Sequence, residues 1–225
     1  MGLLRRNWMK LAEPISKYDS ELVYEFYANA WTEKQSCEEC KSRVRGHWIF
    51  YHPKAIDEFL GNPFPDQEVF CAYQRLKSTP NGFDINKVAY TLYFLDRSYQ
   101  KGPGGLPKRI RRKDMRTIIQ VWLTFMLANI APSGHVSQLN IPRCNLLFSL
   151  VQEDVIVNVS RIIFDEIQKF VDVEVNQFKG RRRGALGFPG LITTLCRTQG
   201  VPTEAKATFA FQSTKTTLIR TASIQ

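Results

Sequence analysis

The chain has 225 residues, 44% hydrophobic and 23% charged, with 31 Lys and Arg against 21 Asp and Glu for a formal charge of +10. That composition excludes a wholly disordered chain and supplies apolar material for one sizeable core or two small ones. It is silent on function until the charge is located. Residues 1–60 carry nine acids and nine bases, and residues 61–100 carry four of each. Residues 101–120 hold seven bases against one acid, residues 121–178 three against six, and residues 179–225 eight against one. The excess lies in one basic segment, one Arg cluster and a basic tail. Clustered bases are what phosphate binding or a nuclear-import signal requires.

The start, Met1-Gly2-Leu3-Leu4-Arg5-Arg6, is charged too early for the apolar region of a signal peptide. Arg6 stands where a myristoylation motif needs Ser or Thr. The five cysteines, Cys37, Cys40, Cys71, Cys144 and Cys196, are odd in number and mostly solitary, which reads as reduced thiols. An intracellular protein is expected, nuclear if a basic cluster is an import signal. The most apolar stretch, Ile118 to Ala131, is 14 residues long. A membrane span needs about 20, so a buried core helix is expected and no membrane partner.

In chain order, Leu22, Val23, Phe26, Tyr27, Ala30 and Trp31 recur at helical spacing, with Ser16 and Asp19, or Ser20, able to cap the start. Val44, Trp48, Ile49, Phe50 and Tyr51 are β-prone and predict a short strand or extended arm within Lys41–Tyr51. Pro53 fits a first helical position and Gly61 the stop after Ala55, Ile56, Phe59 and Leu60. Asp66 is placed to cap a helix carrying Val69, Phe70, Tyr73 and Leu76, and another helix is expected over Ile85–Leu95. Gly102-Pro103-Gly104-Gly105-Leu106-Pro107 is the clearest break. Beyond it, Asp114 is placed to cap the apolar helix that ends before Pro132. A helix over 141–152 has Pro142 near its start. An amphipathic stripe of Val159, Ile162, Ile163, Ile167, Phe170 and Val171 follows, and a last helix runs from Leu191 to Gln199. Residues 202–225 show no clear period and read as disordered.

The expected fold is mainly α, a helical domain of about seven helices with at most a small strand pair near residues 42–51. The expected organisation is an N-terminal helical subdomain (1–100), a Gly/Pro-rich basic hinge (101–113), a C-terminal helical subdomain (114–201) and the tail (202–225).

Cys37-Glu-Glu-Cys40 followed by His47 and His52 has two soft ligand pairs, as a zinc site needs. Only six residues separate Cys40 from His47, against 12–15 in the common finger pattern. His47 and His52 are five apart, so on a strand they point to opposite faces. No metal or other cofactor is therefore expected. The acidic pairs Asp57-Glu58, Glu153-Asp154 and Asp165-Glu166 read as solvated helix faces rather than two-metal carboxylate sites. The segment 102–108 lacks the Gly-Lys-Ser/Thr ending of a phosphate-binding loop, and its prolines remove N–H donors. No catalytic residues and no small-molecule substrate are inferred.

Lys108-Arg109-Ile110-Arg111-Arg112-Lys113 places five bases in six residues. Bases at a helix start oppose the macrodipole, so a structural role alone does not explain them. Lys179-Gly180-Arg181-Arg182-Arg183-Gly184 is a second cluster. Neither interleaves aromatics as a single-strand surface would. Lys108, Arg109, Arg111, Arg112, Lys113, Arg181, Arg182 and Arg183 are the candidate nucleic-acid contacts.

Several blocks occur in a fixed order. They are Glu25-Phe-Tyr-Ala-Asn-Ala30-Trp31, Val44-Arg-Gly46, Pro53-Lys-Ala-Ile56-Asp-Glu-Phe59-Leu60-Gly-Asn-Pro63 and Ile141-Pro-Arg-Cys-Asn-Leu-Leu-Phe148. Asn158-Val-Ser-Arg161-Ile162-Ile163 and Arg181-Arg-Arg-Gly184-Ala-Leu-Gly-Phe188-Pro189-Gly-Leu-Ile192-Thr-Thr-Leu-Cys196-Arg197 complete the series. In this order the chain resembles a plant-specific, transposon-derived domain, the plant transposon protein domain family, over residues 7–201. The resemblance implies a mainly helical, retroelement-related plant protein and no established catalytic residues. Two departures stand out: His52 occupies a position where an acidic helix cap is usual, and Cys37 and Cys40 are not family marks. The expected function is a non-enzymatic, transposon-derived protein that binds nucleic acid weakly through its basic segments. The alternatives are a self-associating, gag-like structural or scaffold module, or an inactive relic of a mobile element.

Overall fold

In a computed structural model of the chain, the described residues are 6, 8–12, 17–31, 40–61, 71–79, 82–94, 99–133, 136–176, 186–202 and 208–209. The helices among them are α1 (Met9–Ala12), α2 (Ser20–Asn29), α3 (Pro53–Leu60), α4 (Ala72–Ser78), α5 (Ile85–Leu92), α6 (Thr117–Asn129), α7 (Ile141–Val151), α8 (Val159–Asn176) and α9 (Pro189–Thr198). The strands are β1 (Lys17–Tyr18), β2 (Ala30–Trp31), β3 (Lys41–Val44), β4 (His47–Phe50), β5 (Gln100–Lys101), β6 (Pro107–Arg111), β7 (Gln138–Asn140) and β8 (Thr208–Phe209). They form antiparallel sheets in the orders β1-β8, β2-β3-β4 and β5-β6-β7. The fold is mainly α, as the sequence indicates. The strand content exceeds the single pair expected near 42–51: that pair is β3–β4, and a second three-stranded sheet forms around β6. Strands of two to five residues are too short to give an alternation signal.

The chain packs as two compact units, each discontinuous in sequence. The central unit comprises residues 64–159 with residues 1–6, and the flanking unit comprises 7–63 with 160–225. This differs from the expected division at a 101–113 hinge, a stretch that lies wholly inside the central unit. Gly104 (φ 72°) and Gly105 (φ 76°) turn the chain there. The Gly102 N–H donates to the Leu106 carbonyl at 2.7 Å, closing the β5–β6 connection. The Gly/Pro signal is thus a hairpin turn rather than a linker.

In the flanking unit, Asp19 caps α2, its Oδ1 accepting from the Leu22 N–H at 3.1 Å. Leu22, Val23, Phe26 and Tyr27 on α2 are buried, and α2 packs on β3 and α9. Ala30 and Trp31, which continue the helical spacing, instead pair as β2 with Ser42 and Lys41. The β3–β4 turn is Arg45-Gly46, with φ of 46° and 83°. Positive φ at both central residues matches the twist of a two-residue hairpin. Arg45 is held in this uncommon conformation by its N–H donating to Glu25 Oε1 at 2.7 Å and its guanidinium to Asp19 Oδ2 at 2.9 Å. The start and stop of α3 are as read from sequence. His52 Nδ1 accepts from the Ala55 N–H at 3.1 Å, Pro53 opens the first turn, and Gly61 closes the helix in the left-handed region at φ 65°. Thr208–Phe209, inside the expected disordered tail, pair with Tyr18–Lys17.

In the central unit, Ile119, Leu123 and Met126 of α6 are buried, as are Leu146, Leu147 and Leu150 of α7. α7 packs on α5, α6 and β6. Asn140 caps α7 through the Arg143 N–H at 3.2 Å. Asp114 does not cap α6. Arg116 precedes that helix without a side-chain cap, and Asp114 lies in a 3-10 turn (Arg112–Asp114). The expected Asp66 cap falls in 62–70, outside the described residues. No helix among the described residues is long and apolar enough to cross a membrane.

Candidate nucleic-acid interface

The basic run 108–113 is structured throughout. β6 is the middle strand of its sheet, with Arg109 opposite both Gln100 and Asn140, Ile110 opposite Leu139, and Arg111 opposite Gln138. Strand periodicity puts Ile110 on one face and Arg109 and Arg111 on the other. Ile110 is fully buried, and burying it fixes the register in which its basic neighbours project outward. Two residues of strand separate the Arg109 and Arg111 Cα atoms by about 6.8 Å. The Arg112 N–H donates to the Ser137 carbonyl at 2.9 Å, which ties the following turn to the β7 side.

Side-chain bonds hold the three arginines of the run in place. Arg109 Nη1 donates to Gln138 Oε1 at 3.1 Å and Arg112 Nη2 to Thr124 Oγ1 at 2.8 Å. Arg111 Nε donates to the buried Asp114 Oδ2 at 2.6 Å. Of the five bases in this run, Arg111 is paired with a carboxylate. Lys108, Arg109, Arg112 and Lys113 have no carboxylate partner among the described residues. Lys108, Arg109 and Lys113 are also exposed. The segment is therefore a net cationic surface held in a defined shape.

Two depressions flank the Ser137–Gln138 backbone. One, of about 550 Å³, is bordered by Arg111, Arg112 and Lys113 with Gln100 and Gln120. The other, of about 310 Å³, is bordered by Arg109, Arg143, Ser133 and Asn140. Arg143 is anchored at the α7 start, its guanidinium donating to the Ala131 and Pro132 carbonyls at 3.4 and 3.2 Å. The chemistry available is that of cationic N–H donors for oxyanions beside amides that both donate and accept, the pairing that contacts phosphates and base edges.

Sequence clustering locates Lys108–Lys113. It misses Arg143, Gln100, Gln120, Ser137 and Gln138, which are single polar residues brought in by the sheet and by α6 and α7. Arg143 sits in an acidic stretch and so carried no charge signal. Arg181, Arg182 and Arg183 fall in 177–185, outside the described residues.

Among the other chemical candidates, Cys40, Asp165 and Glu166 are engaged. Cys40 is buried and its Sγ accepts from Gln168 Nε2 at 3.6 Å; Cys37 lies outside the described residues. Asp165 accepts from Arg161 Nε at 2.9 Å, and Glu166 pairs with Lys169. These are i,i+4 and i,i+3 pairs along α8, as a solvated helix face makes.

The chain is thus a mainly α protein with a cationic, amide-bordered surface built on a small sheet. The family described as "putative plant retrotransposon-related domain" matches residues 4–202, and the chain belongs to it. It is a transposon-derived plant protein. Comparison with curated proteins and with solved structures gives no match.

Proposed function

We propose that this transposon-derived protein binds nucleic acid without catalysing a reaction on it, and that the central-unit surface around β6 contacts the phosphate backbone. The observation that carries the reading is the arrangement of Arg109, Arg112, Lys113 and Arg143 on both sides of Ser137–Gln138, none neutralised by a carboxylate among the described residues. Charge-assisted N–H donors favour phosphates over neutral ligands. The adjoining glutamines supply weaker, sequence-tolerant contacts. The ion-paired carboxylates of α8 support the non-catalytic part of the reading, because each is already engaged by a neighbouring base.

The test is an oligonucleotide titration across salt. Neutralising four phosphates gives a slope of log affinity on log salt of about −3.6 for duplex DNA. Replacing Lys113 and Arg109 by Gln should make that slope shallower by about 0.9 for each base. Binding that does not change with salt, or that both variants leave unaltered, sinks the reading. Nuclear import through 108–113 has less support, since β6 backbone groups are engaged with β5 and β7, whereas a linear import signal is bound as a free extended peptide.

A second reading, self-association, draws on the exposure of Tyr90 (68%), Phe94 (48%) and Ile118 (58%) near the Tyr93–Met115 bridge of the central unit. Light scattering distinguishes it: a strict monomer at high concentration excludes a gag-like role.

A further inference from the structure

We propose that the outward face of the β3–β4 hairpin is a stacking platform for the unpaired bases of single-stranded nucleic acid. This site lies in the flanking unit and stands independently of the β6 surface. The register pairs Lys41 with Phe50 and Arg43 with Trp48. Directly opposed residues share a face, so two aromatics on β4 lie beside two cations on β3 on one side of the hairpin. The other side carries Ser42, Val44 and Ile49, all 0% exposed. Burial of that side fixes which residues face outward. Trp48 and Phe50 are nevertheless 51% and 42% exposed.

The surroundings favour a flat, anionic ligand. Lys41 Nζ lies 4.9 Å and Arg43 Cζ 5.9 Å from the Trp48 ring centroid. Neither cation has a carboxylate partner among the described residues. Contacts of this kind at an exposed ring are weaker than the stacking of a nucleobase on it. A base can therefore take the Trp48 face while the two cations turn to its phosphates. Trp48 and Phe50 are two residues apart on one strand, with Cα atoms about 6.8 Å apart, and both lie on the same face for successive bases to stack against.

The platform is also held rigid. The Phe50 N–H donates to Gln199 Oε1 at 2.8 Å, and Gln199 Nε2 donates to the Phe50 carbonyl at 2.9 Å. Gln199 thereby covers the open edge of β4 at Phe50 and disfavours pairing with a further strand there. What stays accessible is the face. An acidic peptide would satisfy the cations but has no use for the rings, whereas single strands combine negative phosphates with stackable faces.

The experiment uses the full chain with labelled oligothymidylate and a duplex of equal length, read by fluorescence anisotropy at low salt. Trp48→Ala and Phe50→Ala should each weaken single-strand binding about tenfold and leave duplex binding unchanged. Trp48→Phe should retain most of the affinity. Both positions are half exposed, and unchanged far-UV circular dichroism and melting confirm that the variants fold. Wild-type single-strand affinity in both Ala variants overturns the inference. So does an equal loss on duplex, competition by polyglutamate as effective as by oligothymidylate, or a change of oligomeric state alone. The Lys113 and Arg109 variants leave the hairpin intact, so failure of the β6 surface and failure of the platform give different patterns.

Discussion

Arg111 Nε and Asp114 Oδ2, 2.6 Å apart, close the turn that joins β6 to α6. Asp114 is 6% exposed and Arg111 is the more open partner. The carboxylate therefore has a structural role and also sets the local charge, since it neutralises one of the five bases in the run. Asp114→Asn should lower stability by about 1 kcal/mol, the value of a half-exposed charged hydrogen bond, seen as a lower urea midpoint with unchanged slope. The same variant should bind oligonucleotide more tightly at low salt, because the surface gains one net positive charge. If stability and affinity fall together, Asp114 positions the bases, and its charge is secondary.

Gly187 is held in the flanking unit by a close approach. A Cβ there would meet the Phe170 ring at 2.4 to 2.9 Å, and the Gly187 carbonyl accepts from the Tyr27 hydroxyl at 3.0 Å. Gly187→Ala forces either the ring or the backbone to move. The expected cost is about 1–3 kcal/mol, typical of overpacking, measured by denaturation. Phe170→Leu in the same background should recover part of it by making room. No recovery would place the strain in the backbone rather than at the ring.

His52 caps α3 with a ring nitrogen, at a position where the family resemblance leads one to expect an acid. Asp caps better, and its charge also complements the helix dipole. His52→Asp should raise stability by about 0.5–1 kcal/mol, and His52→Ala should lower it by about 1 kcal/mol. Thermal denaturation at neutral pH checks both signs.

The sequence made local punctuation legible. Asp19, Pro53 and Gly61 mark helix ends because a cap works within a few residues of itself, and α3 lies where its punctuation puts it. Ala30 and Trp31 show the limit: their spacing is helical, but their backbone pairs with Ser42 and Lys41, which lie beyond the reach of a periodicity window. β6 is the sharper case. Its single apolar residue, Ile110, is buried against elements some 30 positions away, including Leu139 opposite it. Read locally, the segment is a run of bases after a Gly/Pro break, and a hinge is the natural reading. The position of the charge was legible, but its shape was not. The Trp48–Phe50 platform was missed for the same reason. Its bases come from the partner strand, so no single stretch of sequence shows aromatics and cations interleaved.

Two buried thiols give a pH signature and report on one unit each. Burial pushes the Cys144 thiol of the central unit from 9.0 up to about 12. Burial, followed by the neighbouring Glu25, pushes Cys196 of the flanking unit up to about 12 as well. Burial likewise raises the Tyr27 and Tyr93 hydroxyls above their ordinary 10.0, with Tyr51 and Cys144 as the next causes. The unfolded chain releases these protons from about pH 9 upward, while the folded chain keeps them to about pH 12 or beyond. Between those limits the folded state holds more protons, so stability falls as pH rises. Stability should be level in these groups below pH 9 and decline through pH 9–12. Cys144→Ala with Cys196→Ala should start from a lower plateau, because of lost packing, but decline less steeply. An equal slope would assign the fall to the tyrosines and surface charges. Thiol labelling during unfolding then separates the units, since a thiolate reacts only once exposed. Cys144 and Cys196 labelled at one denaturant concentration would mean that the two units unfold together. Labelling at two concentrations would mean that each interleaved half of the chain holds its own core.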